Sequence, residues 1–264
     1  MAIVEHTELR PLRGPLGRRC RFLGAPFDLV PRDRILELIR SADPTSRFRY
    51  VVTPNVDHVV RLNRERALGS FYDQAWLSLC DSRPIQAMAH ATFLKLPLMT
   101  GSDLTVHLFK SVIEPGDLIS VIAANEAIMV DLAAAYPNVR FRSLVPPPDV
   151  WTDTAALDAC VDFVAAGDAR FVFIAIGSPQ SEKIAHALAS RSEAMGIGFC
   201  VGAALEFLVG RKRRAPLWMQ RAGLEWLHRM ASDPKRLWRR YVYAVVPLAG
   251  LFWGEVSGRL PTRN

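Results

Sequence analysis

Apolar residues along the chain follow two alternating rhythms. Short runs at Cys20–Gly24, Tyr50–Thr53, Ala75–Cys80, Asp117–Ala124, Val139–Val145, Arg170–Ile176 and Ile197–Val201 have the length of buried strands. The segments between them space their apolar residues three or four apart, as helices do: Pro31–Arg40, Asn55–Arg66, Pro84–Leu96, Gly101–Ile113, Asn125–Tyr136, Thr152–Ala166 and Pro179–Arg191. Pro31 suits a first helical turn, and Ser102 is the expected N-cap of the helix at Gly101. Short apolar strands alternating with helices predict an α/β fold, a mostly parallel sheet with helices on both faces. Ligands on such sheets bind beyond the carboxyl ends of the strands. That singles out Thr53–Asn55, Asp81–Arg83, Asn125, Gly177–Glu182 and Gly202–Glu206.

The rhythm changes at both ends. Residues 1–19, rich in Arg and Pro, are expected to be a flexible arm. Residues 20–205 form the predicted α/β core. Residues 206–264 read as a helical appendage, with helices over Ala215–Met230 and Pro234–Leu251.

Composition and charge narrow the picture. The chain has 264 residues, of which 50% are hydrophobic and 22% charged, which excludes a disordered polymer. The net charge of +7 is concentrated in the appendage, where twelve basic residues meet four acidic ones. A near-neutral body with a basic tail suggests an anionic partner: nucleic acid, anionic lipid or a phosphorylated substrate. Trp218, Trp226, Trp238 and Trp253 interleave with the arginines, a composition suited to a membrane interface. A helical hairpin packed on the body with its arginines in water fits the same composition. No recognisable reader motif supports nucleic acid. Tyr241–Trp253 is uncharged but interrupted by Pro247 and too short to span a bilayer comfortably. No secretory signal is evident. Cys20, Cys80, Cys160 and Cys200 lie far apart among apolar residues and are expected to be buried thiols in a reducing cytosol.

The strand ends carry the candidate chemistry. Thr53 and Asn55 flank Pro54 at a helix start, where they either cap the helix or donate to a ligand. Asp81 ends a buried strand, well placed for a general base, although Asp81 or Ser82 also suits capping before Pro84. Gly177-Ser178-Pro179-Gln180-Ser181-Glu182 couples a glycine to a helix start, where backbone N–H groups suit a phosphate. This is neither a Walker loop nor a dinucleotide fingerprint. No D-x-D pair is present to hold a metal on a nucleotide diphosphate, and there is no H-E-x-x-H or G-x-S-x-G.

TPNVDHVVRLN, LCDSRP, LPLMTGSDL, FVFIAIGSPQSEK and VGAALEFLVGRKRRAPLWMQRAGLEWLHRM followed by PKRLWRRY occur in one order. In that order the chain resembles the WecG/TagA/CpsF glycosyltransferases (glycosyltransferase family 26) over roughly residues 20–243. The resemblance implies a Rossmann-like core with a C-terminal appendage that meets the membrane. It implies an inverting, metal-independent transferase without a cofactor. Such an enzyme moves a hexose or N-acetylhexosamine-type sugar from a UDP-sugar to a polyprenyl-diphosphate-linked sugar. The setting would be the inner face of the cell membrane, in exopolysaccharide or other surface-polysaccharide synthesis. Asp81 matches the family's proposed base. Thr53 and Asn55 match positions near the acceptor, and Gly177, Pro179 and Glu182 match a loop near the nucleotide sugar, with Gln180 and Ser181 beside them. Arg211, Arg213, Arg214, Arg221, Arg236, Arg239 and Arg240 fall in the appendage, where some are expected to hold diphosphate or face an anionic membrane.

Three positions depart from the family pattern. Ser82 replaces a glycine, Leu98 or Met99 an arginine, and Ser181 a glutamine. Arg83 is the candidate to supply the missing positive charge. The departures also fit a non-catalytic scaffold in a polysaccharide-assembly complex, against which the retained Asp81 argues. The sequence leaves a homo-oligomer open.

Overall fold

The computed structural model describes residues 19–213, 215, 216, 218, 219 and 246–258. The chain opens with an antiparallel hairpin, β1 (Arg19–Phe22) and β2 (Ala25–Asp28), pairing Arg19 with Asp28 and Phe22 with Ala25. Its two-residue turn puts Leu23 at φ +52° and Gly24 at φ +79°, the paired positive angles that match the twist of a tight hairpin. Gly24 has a second reason to be glycine, since a Cβ there would lie 2.6 Å from Asn63 Oδ1. Leu23 is held in its unusual conformation from both sides. Asn63 Nδ2 donates to its carbonyl at 2.8 Å, and its N–H donates to Glu255 at 2.9 Å. Sequence periodicity had predicted one strand here. The chain instead doubles back, and Arg19, counted with the arm, begins β1.

Helices and strands then alternate as expected: α1 (Arg32–Arg40), β3 (Arg49–Val52), α2 (Val56–Arg64), a 3-10 turn at Arg66–Leu68, α3 (Gly69–Asp73), β4 (Leu77–Ser78) and α4 (Arg83–Ala91). The second half adds α5 (Gly101–Ser111), β5 (Leu118–Ala123), α6 (Glu126–Ala135), β6 (Arg140–Leu144), α7 (Thr154–Ala165), β7 (Phe171–Ala175), α8 (Gln180–Ala189), β8 (Ile197–Cys200) and α9 (Ala204–Leu208). Side-chain caps start several helices. Asn55, Asn125 and Asp153 accept N–H groups of α2, α6 and α7 respectively. At α5 the cap is Thr100, whose Oγ1 accepts the Asp103 N–H at 3.0 Å, and Ser102 lies inside the helix. The helix therefore begins two residues earlier than its serine implied.

The six strands order β4-β3-β8-β7-β5-β6, and every pair is parallel. Alternation sorts their side chains onto two cores. Tyr50, Val52, Val172, Ile174 and Cys200 face one, with helices α2, α4, α7 and α8. Val51, Val121, Phe171, Phe173 and Phe199 face the other, with α1, α5, α6 and α9. This is the Rossmann-like α/β arrangement that the sequence predicted. All four cysteines are buried thiols.

The hairpin covers the β4 edge. Asp28 accepts the Ser78 N–H at 2.7 Å, and the Ser78 hydroxyl donates to the Pro26 carbonyl at 2.7 Å. Arg19 donates to both Asp28 oxygens, at 2.9 and 2.7 Å, and to the carbonyls of Asp73, Ala75 and Trp76. The unpaired groups of the edge strand thereby find partners without a seventh strand.

Beyond α9, a helix over 246–256 packs back on the body. Leu248 is buried in the α2–α8 core, with Leu251 and Phe252 against it, while Val246 and Trp253 are exposed. Within the expected Ala215–Met230 helix only four residues are described, and Trp226 and Trp238 lie outside the described residues. Among the described residues, no helix is long and apolar enough to cross a membrane.

Candidate active site

Strand register decides what shares the rim of the sheet. Ser78 pairs with Val52, Val52 with Cys200, Cys200 with Ile174, and Ile174 with Ile122. The carboxyl ends of β4, β3, β8, β7 and β5 therefore stand abreast, and Asp81, Thr53, Val201, Gly177 and Asn125 follow them. With strands about 4.8 Å apart, Asp81 and Gly177 are three strand positions, roughly 14 Å, from one another along the rim.

Asp81 is half-buried, and its backbone N–H donates to the Pro54 carbonyl at 3.1 Å. Ser82 takes the capping role that either residue suited, its Oγ accepting the Ile85 N–H at 3.3 Å. Arg83 is the exposed first residue of α4. The loop that returns to the rim runs beside the end of β4, with Cys80 bridging to Leu98 and the Met99 N–H donating to the Cys80 carbonyl at 3.0 Å. Met99 is buried and Leu98 half-buried, and both line a small cleft with Asp28, Arg32 and Cys80.

Thr53 is buried and bonds inward. Its hydroxyl donates to the Cys200 carbonyl at 3.3 Å, joining the ends of β3 and β8. A Cβ on Gly101 would lie 3.1 Å from this hydroxyl and 3.5 Å from the Val201 carbonyl, so the start of α5 also closes on this point. Asn55 Oδ1 accepts the N–H groups of Asp57 and His58 at 3.0 and 3.4 Å, so a ligand contact from Asn55 falls to its Nδ2.

The turn after β7 is built differently. Gly177 has φ +90°, and the space where a Cβ would stand is open. Pro179 follows a cis peptide bond, and Gln180 is the half-buried first residue of α8. Ser181 and Glu182, both expected at the ligand, are only 1% exposed and lie beneath the turn. Burial pushes the Glu182 carboxyl up to about 7, against the pull of the Ser178 and Tyr72 hydroxyls and the Arg61 charge. Tyr72, on α3, reaches Ser178 Oγ at 3.4 Å, and Arg61 pairs with Asp57 at 3.1 Å. Periodicity found neither Tyr72 nor α3, because Gly69–Asp73 is too short to show a helical stripe. The Asp57–Arg61 spacing of four was the one visible signal here.

In the appendage, Arg211 pairs with Asp131 of α6 and Lys212 with Glu206 of α9, and Arg213 is exposed. Arg214, Arg221, Arg236, Arg239 and Arg240 lie outside the described residues. Among the described residues, no three His, Cys, Asp or Glu side chains gather as a metal site.

A sequence model of the glycosyl transferase WecG/TagA/CpsF family matches residues 20–261. The chain belongs to the WecG/TagA/CpsF glycosyltransferase family. It is similar to three Staphylococcus aureus proteins, from strains MRSA252, MW2 and NCTC 8325 / PS 47. Each is named N-acetylglucosaminyldiphosphoundecaprenol N-acetyl-beta-D-mannosaminyltransferase. Identity is 25% over 228 residues, covering 82% of this chain and 86% of each relative. As a WecG/TagA/CpsF member the chain is a glycosyltransferase, of a hexosyltransferase family that serves lipid-linked polysaccharide synthesis.

Proposed function

We propose that this enzyme transfers a hexose or N-acetylhexosamine-type sugar from a UDP-sugar, with inversion, to a polyprenyl-diphosphate-linked sugar. The observation that carries the reading is the rim itself. Asp81 is fixed at one side by its bond to Pro54, with a phosphate-compatible turn at Gly177–Gln180 about 14 Å away. That interval suits a nucleotide sugar better than a bare monosaccharide. The relatives' names specify an N-acetylglucosaminyl-diphosphoundecaprenol acceptor, which supports a lipid-linked sugar here.

In this reading Asp81 takes the proton from the acceptor hydroxyl as that oxygen attacks the anomeric carbon. The bond from that carbon to the diphosphate oxygen breaks, and UDP leaves on the opposite face. Thr53 and Asn55 shape the acceptor side, and Gly177, Pro179 and Gln180 the donor side. Arginines of the appendage, Arg213 among them, stabilise the departing diphosphate or hold the enzyme on an anionic leaflet. Residues 206–264 then act as a membrane-proximal appendage to a 20–205 core behind a short 1–19 arm, and the enzyme works on the inner membrane face.

The test measures UDP release from a panel of UDP-sugars with a polyprenyl-diphosphate-N-acetylglucosamine analogue and a chelator present. Acceptor-dependent release from one donor, lost in Asp81→Ala, is the expected result. Release that ignores the acceptor, or survives in Asp81→Ala, overturns the reading.

A further inference from the structure

Helix α4 ends on a strained residue that is not packed into the fold. Beyond its C-cap, Thr92, the Phe93 N–H donates to the His90 carbonyl at 3.0 Å and the Leu94 N–H to the Ala89 carbonyl at 2.9 Å. This Schellman closure needs a left-handed residue directly after the cap, where glycine is usual. Here the residue is Phe93, at φ +62°. A bulky side chain is strained in that region. Buried packing could offset the strain, but Phe93 is 86% exposed.

The ring is nevertheless presented from an anchored base. Leu94 and Leu96 are buried, and Gln86 Nε2 donates to the Leu96 carbonyl at 3.0 Å. Leu98 then bridges to Cys80, the residue before Asp81. The loop that carries Phe93 is thus tied to the strand end that carries the proposed base. This stretch also holds one sign of charge. Residues 82–102 contain Arg83, His90 and Lys95, all exposed, and no Asp or Glu.

We propose that Phe93 is a membrane-docking wedge, entering the interface of an anionic leaflet while Lys95 and His90 face the lipid phosphates. The proposal rests on the reading that the acceptor is lipid-linked. An aromatic ring beside cations matches a lipid interface, where the ring sits at the acyl boundary and the cations at the headgroups. A protein partner would need a broad contact, about 800 Å² on each side. The exposed apolar residues of α4 are only Pro84, Ala87 and Ala91, all small. A fluid surface adapts to a single projecting ring.

The experiment compares Phe93→Ala, Phe93→Gly and Lys95→Gln by cosedimentation at low salt, without substrate. Phosphatidylglycerol-containing vesicles are the probe and phosphatidylcholine vesicles the control. Both Phe93 variants are expected to bind the anionic vesicles about tenfold more weakly, and Lys95→Gln about fivefold more weakly. Phe93→Gly relieves the left-handed strain, so its thermal midpoint should be at least that of wild type. Binding and stability then move in opposite directions, which a structural role for the ring would not produce. In the UDP-release assay the Phe93 variants should show a raised KM for a vesicle-embedded acceptor and an unchanged KM for a short-chain, water-soluble analogue. Vesicle binding unchanged in both Phe93 variants, or absent in wild type, would overturn the proposal. So would a Phe93→Gly protein less stable than wild type. Light scattering without lipid supplies a further outcome: a wild-type dimer that Phe93→Ala turns into a monomer would make this a contact between copies of the chain and overturn the membrane assignment. Failure of the transferase reading shows separately, as wild type that releases no UDP, and leaves the vesicle comparison standing.

Discussion

The N–H of Asp81 donates to the carbonyl of Pro54 at 3.1 Å, and this bond continues a series. Trp76 donates to Tyr50 and Leu79 to Val52, both at 2.9 Å, so bonding between the two segments runs two residues past β3 and three past β4. Asp81 is thus placed by its backbone. Its side chain is not the cap of α4, because Ser82 is.

Exchanging the Asp81 carboxylate for an amide keeps this backbone bond and the side chain's shape, and removes the base of the proposed reaction. Asp81→Asn is expected to lower turnover by about 10²–10⁴-fold, the usual worth of a positioned base. Its thermal midpoint should match wild type. Initial rates of UDP release and a melting curve, taken together, check both halves. A variant that melts early would assign Asp81 to structure instead.

Asp28 joins the hairpin to the sheet edge by accepting from Arg19 and from the Ser78 N–H. Asp28→Ala leaves a buried guanidinium and a backbone donor without their acceptor. Breaking such a pair costs about 3–5 kcal/mol. Asp28→Asn, which still accepts the Ser78 N–H, should lose less. Urea unfolding of both variants measures the ranking, and equal losses would argue that the charge alone matters.

Glu182 links stability to pH. Its carboxyl is pushed up from an ordinary 4.5 to about 7 by burial, so the folded chain keeps a proton that the unfolded chain releases. The resulting stability is present in full below about pH 4.5, declines as pH rises towards 7, and is gone above that. A shift of this size corresponds to about 3 kcal/mol. Glu182→Gln has no proton to lose. The stability of wild type relative to Glu182→Gln should therefore fall by that order between pH 5 and pH 7.5, read from urea midpoints. A difference that stays constant with pH would contradict the buried, neutral carboxyl.

The C-terminal helix over 246–256 is docked by Leu248 and by Glu255, which accepts the Leu23 N–H. Leu248→Ala removes a buried side chain worth about 2–5 kcal/mol. Hydrogen exchange should accelerate across 246–256 and around Leu23, with β7 amides little changed. Uniform acceleration through the sheet would show that this helix belongs to the global folding unit.

The exposed cations after α9 differ in company. Arg211 already faces Asp131, whereas Arg213 is exposed. If the appendage docks on an anionic leaflet, each cation facing it contributes about 1 kcal/mol, or roughly fivefold in affinity. Arg213→Gln should weaken binding to phosphatidylglycerol-containing vesicles by about that factor, and Arg211→Gln by less. Cosedimentation at low salt, with phosphatidylcholine vesicles as control, measures it. Equal binding of all three proteins would leave these two cations out of the membrane contact.

Most of the element order was readable because each strand and helix carries its own period. Asn55, Asn125, Thr152–Ala166 and Arg170–Ile176 lie close to the boundaries observed. The misses share a cause. β2 (APFD) and α3 (GSFYD) are too short for a period to emerge, and both exist because other parts of the chain hold them. Asn63 and Glu255 clamp the turn before β2, and Tyr50 anchors α3. β4 is paired in register only at Leu77–Ser78, although the Trp76 and Leu79 N–H groups on either side still bond to Tyr50 and Val52.

For the site, the sequence alone determined the rim residues, since a polar residue after a buried apolar run must stand at a strand end. It also determined the family, through motifs spread in order along the chain. Tertiary structure decided which of those residues stay at the open rim and which are turned inward. Thr53 bonds to Cys200, and Glu182 is buried in the first turn of α8. The physical reason is that burial and hydrogen-bond partners come from contacts far apart in sequence. Thr53 and Cys200 are 147 residues apart, Leu23 and Glu255 232, and no local pattern records either meeting.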